Sequence, residues 1–462
     1  MRASPPSSLL ISILTGVVLA GCLVFGGASR QNAFQVIGLE LLSLPLLFCA
    51  LWRHAALGSW GEIRGPGLIV LAIVGIVLLQ LVPLPPAIWN HLPGHAPAAE
   101  ALRLAGLDRA WRPYSLTPEV TARYGLALLP PIAVFLGAGQ MHSRQRLWLS
   151  LLIPLAAAIS LGVGVAQLLG DPEGPLYFYA NTNRDSAVGL FANRNHQAAL
   201  LVACLPFAAL WLRPSEQSRG RPPIGPLLVM ALFGIVIIGL IVLRSRAGVL
   251  LLVPSLLASL ALTWRGGLAF NRWMAAGLGA IVVGAIVLGL LVGFGPLKQR
   301  FETKGEGRAV SAPIAAGAAW ALQPLGGGLG SFRNIYAGAE TNETMFESYW
   351  LHVHDDYLEL WLEAGWLALA TLLGFLVWWS RAAVSAWRGP PDLPGSLARA
   401  ASVASGLLLI HSAVDYPLRT LAMACVFAFA CGVMVRRSSP AEARGAAAIG
   451  SGPSRRAIGA GG

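Results

Sequence analysis

The sequence predicts an all-α polytopic integral membrane protein. Of its 462 residues, 56% are hydrophobic and only 12% are charged, which is too apolar for an ordinary soluble domain. Apolar windows of about 20 residues, the length that spans a bilayer as a helix, recur along nearly the whole chain. Long apolar runs favour a helical bundle over an outer-membrane barrel, whose strands would be short and alternating.

We predict about twelve transmembrane helices, each from one apolar window. They cover residues 8–28, 34–52, 66–84, 118–138, 147–169, 192–212, 224–243, 247–264, 273–294, 355–379, 397–414 and 419–435. The first window exceeds the apolar stretch of about 7 to 15 residues in a cleaved signal peptide, so it is interpreted as a retained helix. The cysteines all lie in apolar windows and show no metal-ligand spacing.

The basic residues indicate the topology. The net charge of +12 is spread over many short loops, which does not favour nucleic acid as a partner. If both termini are cytoplasmic, most loop arginines fall on the cytoplasmic side, as the positive-inside rule requires. The sequence therefore predicts a multi-pass protein of the bacterial inner (cytoplasmic) membrane, with its acids concentrated on the periplasmic side.

Residues 1–437 are predicted to form one polytopic membrane domain. Two of its periplasmic segments are long enough to be functional: residues 85–117, with a short surface helix near 97–107, and residues 296–353, between helices 9 and 10. The tail, residues 438–462, lacks apolar periodicity and is predicted to be a disordered cytoplasmic segment.

Several arginines on the predicted outer side depart from the positive-inside trend. They are Arg30, Arg184, Arg194, Arg244, Arg246, Arg308, Arg333 and Arg419. An arginine fork matches phosphate oxygens and stays charged at any working pH, so a convergent group would hold a lipid diphosphate. A single interfacial arginine more often pairs with an acid or snorkels to headgroups. Arg246 differs, because LRSRAGVLLLV places it in a short turn with no acid nearby in sequence.

A histidine and several acids lie at the start of the predicted tenth helix, in HVHDDYLELWLEAGW. His354 precedes Asp355 and Asp356, and these acids suit the positive end of the helix dipole. An acidic stripe follows at four-residue spacing: Asp355, Glu359 and Glu363. A histidine held by a carboxylate can act as a general base toward a hydroxyl. A solvated helix cap with an incidental histidine remains the alternative.

Two further motifs favour structural interpretations. The glycine run QPLGGGLGSF, residues 323–332, lacks the lysine of a phosphate loop, so close backbone approach within the outer loop is predicted. In HSAVDYPLRT, residues 411–420, His411, Asp415 and Arg419 recur at four-residue intervals. A salt-bridge knot that connects the last two helices is favoured there over a part of an acceptor site.

Seven segments carry a resemblance to a known family. They are QLVPLPPAIWNHLPG at 80–94, SLTPEVTARYGLALLPPIAVF at 115–135, GLFANRNHQAALLVACLPFAAL at 189–210, SRAGVLLLV at 245–253, GRAVSAPIAAGAAWALQPLGGGLGSF at 307–332, HDDYLELWLEAGWLAL at 354–369 and HSAVDYPLRT at 411–420. Each motif is loose, but their order and placement between helices resemble the O-antigen ligase and O-antigen polymerase superfamily of bacterial membrane proteins.

The resemblance implies transfer of a glycan from undecaprenyl diphosphate to an acceptor hydroxyl, without a metal, a cofactor or a nucleotide sugar. Arg246 and Arg308 would bind the diphosphate. His354 would activate the hydroxyl, with Asp355 or Asp356 orienting it.

Arg194, His196 and Arg333 are further candidates for substrate binding. In the family a tryptophan usually follows the arginine that matches Arg308 by about four residues, whereas this chain has Ala312 and Pro313 there.

The expected function is therefore that of a glycosyltransferase in lipopolysaccharide or surface polysaccharide biosynthesis. Its partners would be the undecaprenyl-diphosphate-linked glycan, a lipid A-core or glycan acceptor, and the bilayer. A polymerase would share every donor-side residue and differ only in its acceptor. A transporter of lipid-linked glycans is a weaker alternative, because the chain shows one dominant polar outer loop and no detectable internal repeat.

Overall fold

The computed structural model describes residues 4–29, 33–184, 186–212, 224–265, 305–344 and 350–435. The side chains of residues 33, 224–227 and 305–309 lie outside this description. Across the described residues the chain is built from α-helices, short 3-10 turns and one two-stranded ribbon.

The helices are, in chain order, α1 (Ser8–Phe25), α2 (Ala33–Leu57), α3 (Arg64–Gln80), α4 (Pro86–Trp89), α5 (Ala96–Leu104), α6 (Pro118–Leu126), α7 (Leu129–Gly139), α8 (Ser143–Ser150), α9 (Leu152–Leu169), α10 (Arg194–Ala209), α11 (Ile224–Val242), α12 (Arg246–Arg265), α13 (Gly305–Ala321), α14 (Phe332–Ala339), α15 (Asp356–Arg388), α16 (Leu393–Ser412) and α17 (Leu421–Met434). The 3-10 turns are Ser59–Ile63, Leu210–Leu212 and Pro417–Arg419. Strand β1 (Pro83–Leu84) pairs antiparallel with β2 (Arg112–Pro113).

The described residues contain nine helical stretches that are long and apolar enough to cross a membrane, and three shorter apolar helices. The predicted helical membrane protein is therefore confirmed, and a short helix, α5, is present where residues 97–107 were expected to form one. The predicted span at 273–294 and the tail at 438–462 lie outside the described residues.

Helix α10 lies at the centre of the bundle. It packs against α9, α11, α12 and α16, and 89% of its apolar window is buried. Small side chains such as Ala199 and Ala203 are fully buried and let neighbouring helices approach closely. In a bilayer, where lipid tails are as apolar as leucine, this close packing is what holds helices together.

Two buried arginines close the end of the bundle opposite to His354. Arg146 donates to the carbonyl oxygens of Val433 (3.0 Å) and Gly139 (2.8 Å), near the ends of α17 and α7. Arg399 donates to the carbonyl oxygens of Ala386 and Gly389, at the end of α15. Carbonyl groups at helix C-termini lack intrahelical donors, and a cation there also suits the helix dipole.

The glycine run packs against a kink in α15. Gly365 has φ 59° and ψ −151°, so the predicted continuous helix over 355–379 breaks there. The Trp366 N–H donates to the carbonyl oxygen of Pro324 at 2.9 Å, and the N–H groups of Gly327 and Gly328 donate to carbonyl oxygens of α15 at 3.0 and 2.8 Å. Close backbone approach was predicted, but its partner is α15 rather than the outer loop itself.

We expect Gly365→Ala to destabilise the protein, because a Cβ there would lie 2.2 Å from the Pro324 carbonyl oxygen. The residue also needs a positive φ that alanine disfavours, so the loss should exceed about 1 kcal/mol. Thermal unfolding of the detergent-solubilised protein measures it. Gly374→Ala is the matched control, since a Cβ at that helical position meets nothing within 4 Å. Equal melting temperatures for the two variants would contradict the assigned kink.

Candidate functional site

The imidazole of His354 is held by a buried carboxylate from another helix connection. His354 Nδ1 lies 3.1 Å from Asp415 Oδ1, and the His354 side chain is 21% exposed against 1% for Asp415. An Nδ1–H that donates to this carboxylate leaves Nε2 as the proton acceptor. His354 also has φ 61°, a left-handed conformation that costs a non-glycine residue roughly 1–3 kcal/mol and is common at functional sites.

Asp415 receives several hydrogen bonds besides the one from His354. Its own carboxylate accepts from the backbone N–H of Tyr416 at 2.9 Å and from the side-chain amide of Asn195. Burial would raise the pKa of Asp415, but the hydrogen bond and charge of His354 hold it below its ordinary value, assisted by His196 and His411. Asp415 is therefore an anion that orients His354.

The same network reaches the short turn that contains Arg246. Asn195 Oδ1 accepts from the hydroxyl of Ser245 at 2.9 Å, and Ser245 directly precedes Arg246, the first residue of α12. Asn195 lies in the first turn of α10, between Arg194 and His196. The structure thus joins His354 to α10 and α12 through one chain of hydrogen bonds, which runs through Asp415, Asn195 and Ser245.

Two helix N-termini, each with an arginine as its first residue, meet at this network. α10 begins at Arg194, after the N-cap Asn193, and α12 begins at Arg246. Arg194 Nη1 also donates to the hydroxyl of Ser186 at 3.3 Å. Helix N-termini carry partial positive charge and exposed N–H groups, so two of them with two guanidinium groups favour an anion such as a phosphate.

Tyr416 packs against three histidines. Its ring centroid lies 4.8 Å from that of His196, 4.3 Å from that of His352 and 4.8 Å from that of His354. His196 is 1% exposed, and its ring nitrogens have no hydrogen-bond partner among the described residues. His196 and His354 thus contact the same Tyr416 ring, and His196 is buried beside it.

Arg419 occupies the centre of a buried acidic group. Its guanidinium lies 2.7 Å from Glu363 Oε2, 3.5 Å from Glu359 Oε1 and 3.5 Å from Asp356 Oδ1. Burial opposes the charge of Arg419, yet Glu359 and Glu363 keep its pKa well above the ordinary value. Because carboxylates already surround it, Arg419 binds protein acids rather than a substrate phosphate. The Asp415–Arg419 segment does form a salt-bridged connection, but its partners lie at the start of α15.

The acids next to His354 have other roles than the predicted one. Asp355 is the N-cap of α15 and accepts from the N–H groups of Tyr357 (2.9 Å) and Leu358 (3.1 Å). Asp356 accepts from the hydroxyl of Ser412 at 2.8 Å and contacts Arg419. The orientation of His354 that was assigned to Asp355 or Asp356 belongs to Asp415 instead. The physical reason is that Asp355 and Asp356 bind the first N–H groups of α15 and Arg419, whereas His354 precedes the helix.

The acidic stripe also differs from the predicted one. Its inward members are Asp356, Glu359 and Glu363, all buried, whereas Asp355 is part of the cap. Glu363 further accepts from the backbone N–H of Gly330 at 2.8 Å, so the stripe holds the glycine run as well as Arg419.

The other two arginines that were predicted to bind substrate, Arg308 and Arg333, lie in α13 and α14. Arg333 is exposed on α14, and the hydrogen-bonded chain from His354 to Ser245 does not pass through it. Arg308 lies in α13, and its side chain is outside the described residues. Within the part of the chain that the structure describes, no group of three or more His, Cys, Asp or Glu side chains could hold a metal ion.

Sequence reasoning missed Asp415, Asn195 and Ser245 as members of the site. The four-residue spacing of His411, Asp415 and Arg419 was a signal that polar groups share one face there, but it could not name their partners. Asn195 and Ser245 each lie next to an arginine that was predicted to bind substrate. Only their side-chain contacts in the structure show that they belong to the site.

Residues 230–373 match the family model of the O-antigen ligase, which confirms the family resemblance. The matched segment includes Arg246, His354 and the acids of α15, and it ends before Asp415. No curated protein matches the chain. Together with the apolar helices, the match indicates a glycosyl-transferring membrane enzyme of polysaccharide biosynthesis.

We expect Asp415→Asn to lower stability by roughly 1–3 kcal/mol, because a buried charged partner of His354 is lost. Since its pKa is lowered on folding, the stability that the Asp415 charge contributes is complete above the unfolded value of about 3.9 and is lost as the pH falls below it. The difference in melting temperature from the wild type should therefore not shrink between about pH 8 and about pH 5.

Thermal unfolding of both proteins across this pH range measures the difference, with the exposed Asp108→Asn as control. A difference that disappears by about pH 6 would mean that Asp415 is not ionised in the folded protein.

Proposed function

We propose that this member of the O-antigen ligase superfamily transfers a glycan from undecaprenyl diphosphate to an acceptor hydroxyl at the periplasmic face of the bacterial inner membrane. The observation that carries the proposal is the hydrogen-bonded chain from His354 through Asp415 and Asn195 to Ser245. It connects a general base with the place where two arginine-headed helices begin.

The donor diphosphate fits the side of the site that carries Arg194 and Arg246. As the glycosidic bond breaks, negative charge develops on the leaving diphosphate, and preorganised cations and helix N-termini stabilise that charge. The opposite flank holds three carboxylates around the single guanidinium of Arg419. Arg419 is already paired with these protein acids, so the described residues favour diphosphate binding beside α10 and α12.

The acceptor hydroxyl would be activated by His354. With Nδ1–H donated to Asp415, Nε2 takes the hydroxyl proton while the acceptor oxygen forms its bond to the anomeric carbon. The bond from that carbon to the diphosphate oxygen breaks, and the diphosphate leaves as an anion. Asp415 stabilises the imidazolium that results, as the carboxylate of a catalytic triad does.

The acceptor distinguishes a ligase from a polymerase. A ligase would use the hydroxyl of a lipid A-core, and a polymerase would use a second lipid-linked glycan with the same donor chemistry. Both use the base and the arginines in the same way, so one reconstituted assay that offers each acceptor in turn separates them.

We expect His354→Ala to lower the transfer rate by about 10²–10⁴-fold, because general base catalysis is lost. Arg246→Ala should lower it by about 10²-fold through weaker stabilisation of the leaving diphosphate. The assay is transfer from an undecaprenyl-diphosphate-linked glycan in proteoliposomes. His91→Ala and Arg103→Ala are matched controls, since His91 is exposed and Arg103 forms an exposed pair with Glu100.

Wild-type rates in both folded site variants would refute the assignment of these residues. Transport of the lipid-linked glycan across the bilayer without transfer to any acceptor would favour the transporter alternative instead.

A further inference from the structure

A second histidine–carboxylate pair lies beside the first. His352 Nδ1 is 2.7 Å from Glu359 Oε1, and both side chains are buried, at 5% and 1% exposure. The other oxygen of the same carboxylate accepts from the backbone N–H of Val353 at 3.1 Å. One glutamate of α15 therefore binds the two residues that directly precede His354.

The turn at His354 needs such support. A non-glycine residue with φ 61° persists only where its surroundings over-determine the conformation. Glu359 binds the residue two positions before His354, and Asp355, directly after His354, caps the N-terminus of α15. Asp415 binds the His354 ring itself. Arg419 lies 3.5 Å from Glu359 Oε1 and so compensates the buried negative charge of this glutamate.

His352 also supports the ring behind His354. The centroid of its imidazole lies 4.3 Å from that of the Tyr416 ring, at an interplanar angle of 34°, and the Tyr416 and His354 centroids are 4.8 Å apart. Tyr416 follows Asp415 in sequence and donates its backbone N–H to that carboxylate. Moving His352 would thus disturb both the turn and the aromatic support of the base.

We propose that His352 and Glu359 are positioning residues for His354. Glu359 fixes the turn through His352 and Val353, and thereby sets the direction in which the His354 ring faces the acceptor. The inference rests on the proposed function, because it takes His354 as the general base. In this proposal His352 acts through its Nδ1 atom, which contacts Glu359, and does not contact a substrate.

Two amide substitutions separate positioning from a second catalytic histidine. His352→Asn places an amide near the position of Nδ1 and can still donate to Glu359, whereas His352→Gln carries its amide near the position of Nε2. Positioning predicts that the Asn variant loses less than about 10-fold in kcat, through the missing contact with Tyr416. The Gln variant also loses the hydrogen bond to Glu359 and should lose more, about 10–100-fold in kcat, with an unchanged KM for the donor. The assay is again transfer in proteoliposomes, with His91→Ala as control.

A Gln variant as active as the Asn variant, or more active, would overturn the proposal and indicate that Nε2 of His352 serves the reaction directly. An unchanged rate in both variants would overturn it as well. The melting temperature of each variant reports whether it is folded. If His354→Ala itself left transfer intact, the proposed function would fail, and that result is distinguishable because it does not depend on residue 352.

Discussion

The site depends on the contacts that two buried charged residues in the turn before α17, Asp415 and Arg419, make with residues at the start of α15. Asp415 pairs with His354, and Arg419 pairs with Glu363, so two residues of one turn bind two residues of one helix segment. Charges at the mouth of a membrane helix are costly to desolvate unless they are paired and hydrogen-bonded. These contacts therefore fix the relative position of the last helices and, with it, the orientation of the His354 ring.

The same contacts separate an acidic region around Arg419 from a basic region at the starts of α10 and α12. The acids of α15 surround Arg419, whereas Arg194 and Arg246 are the first residues of α10 and α12 at the Ser245 end of the network. Asn195 is the link between the regions, because its amide donates to Asp415 and its oxygen accepts from Ser245. A neutral amide carries both a donor and an acceptor, so it can bind an anion and accept from a hydroxyl at once. An ionised side chain carries only donors or only acceptors.

The glycine run connects the outer segments to this site. Gly326, Gly328 and Gly330 have positive φ, which lets the chain lie directly on the kink of α15. Tyr114 donates its hydroxyl to the carbonyl oxygen of Gly326, and Gln80 donates to the carbonyl oxygen of Glu363 at 2.9 Å. Gln80, the last residue of α3, thus contacts the segment that carries the acids, and Tyr114 contacts the glycine run that lies on it.

The sequence by itself determined the class of protein and most helix positions, because apolar window length is a local property. It predicted His354 as a general base and Arg246 as a cation with no acid nearby in sequence. Only the tertiary structure decided that Asp415, 61 residues further along the chain, orients His354, while Asp355 caps a helix. Partners of this kind are set by how α10, α12, α15 and α16 pack, and no spacing within one helix can specify a contact between helices.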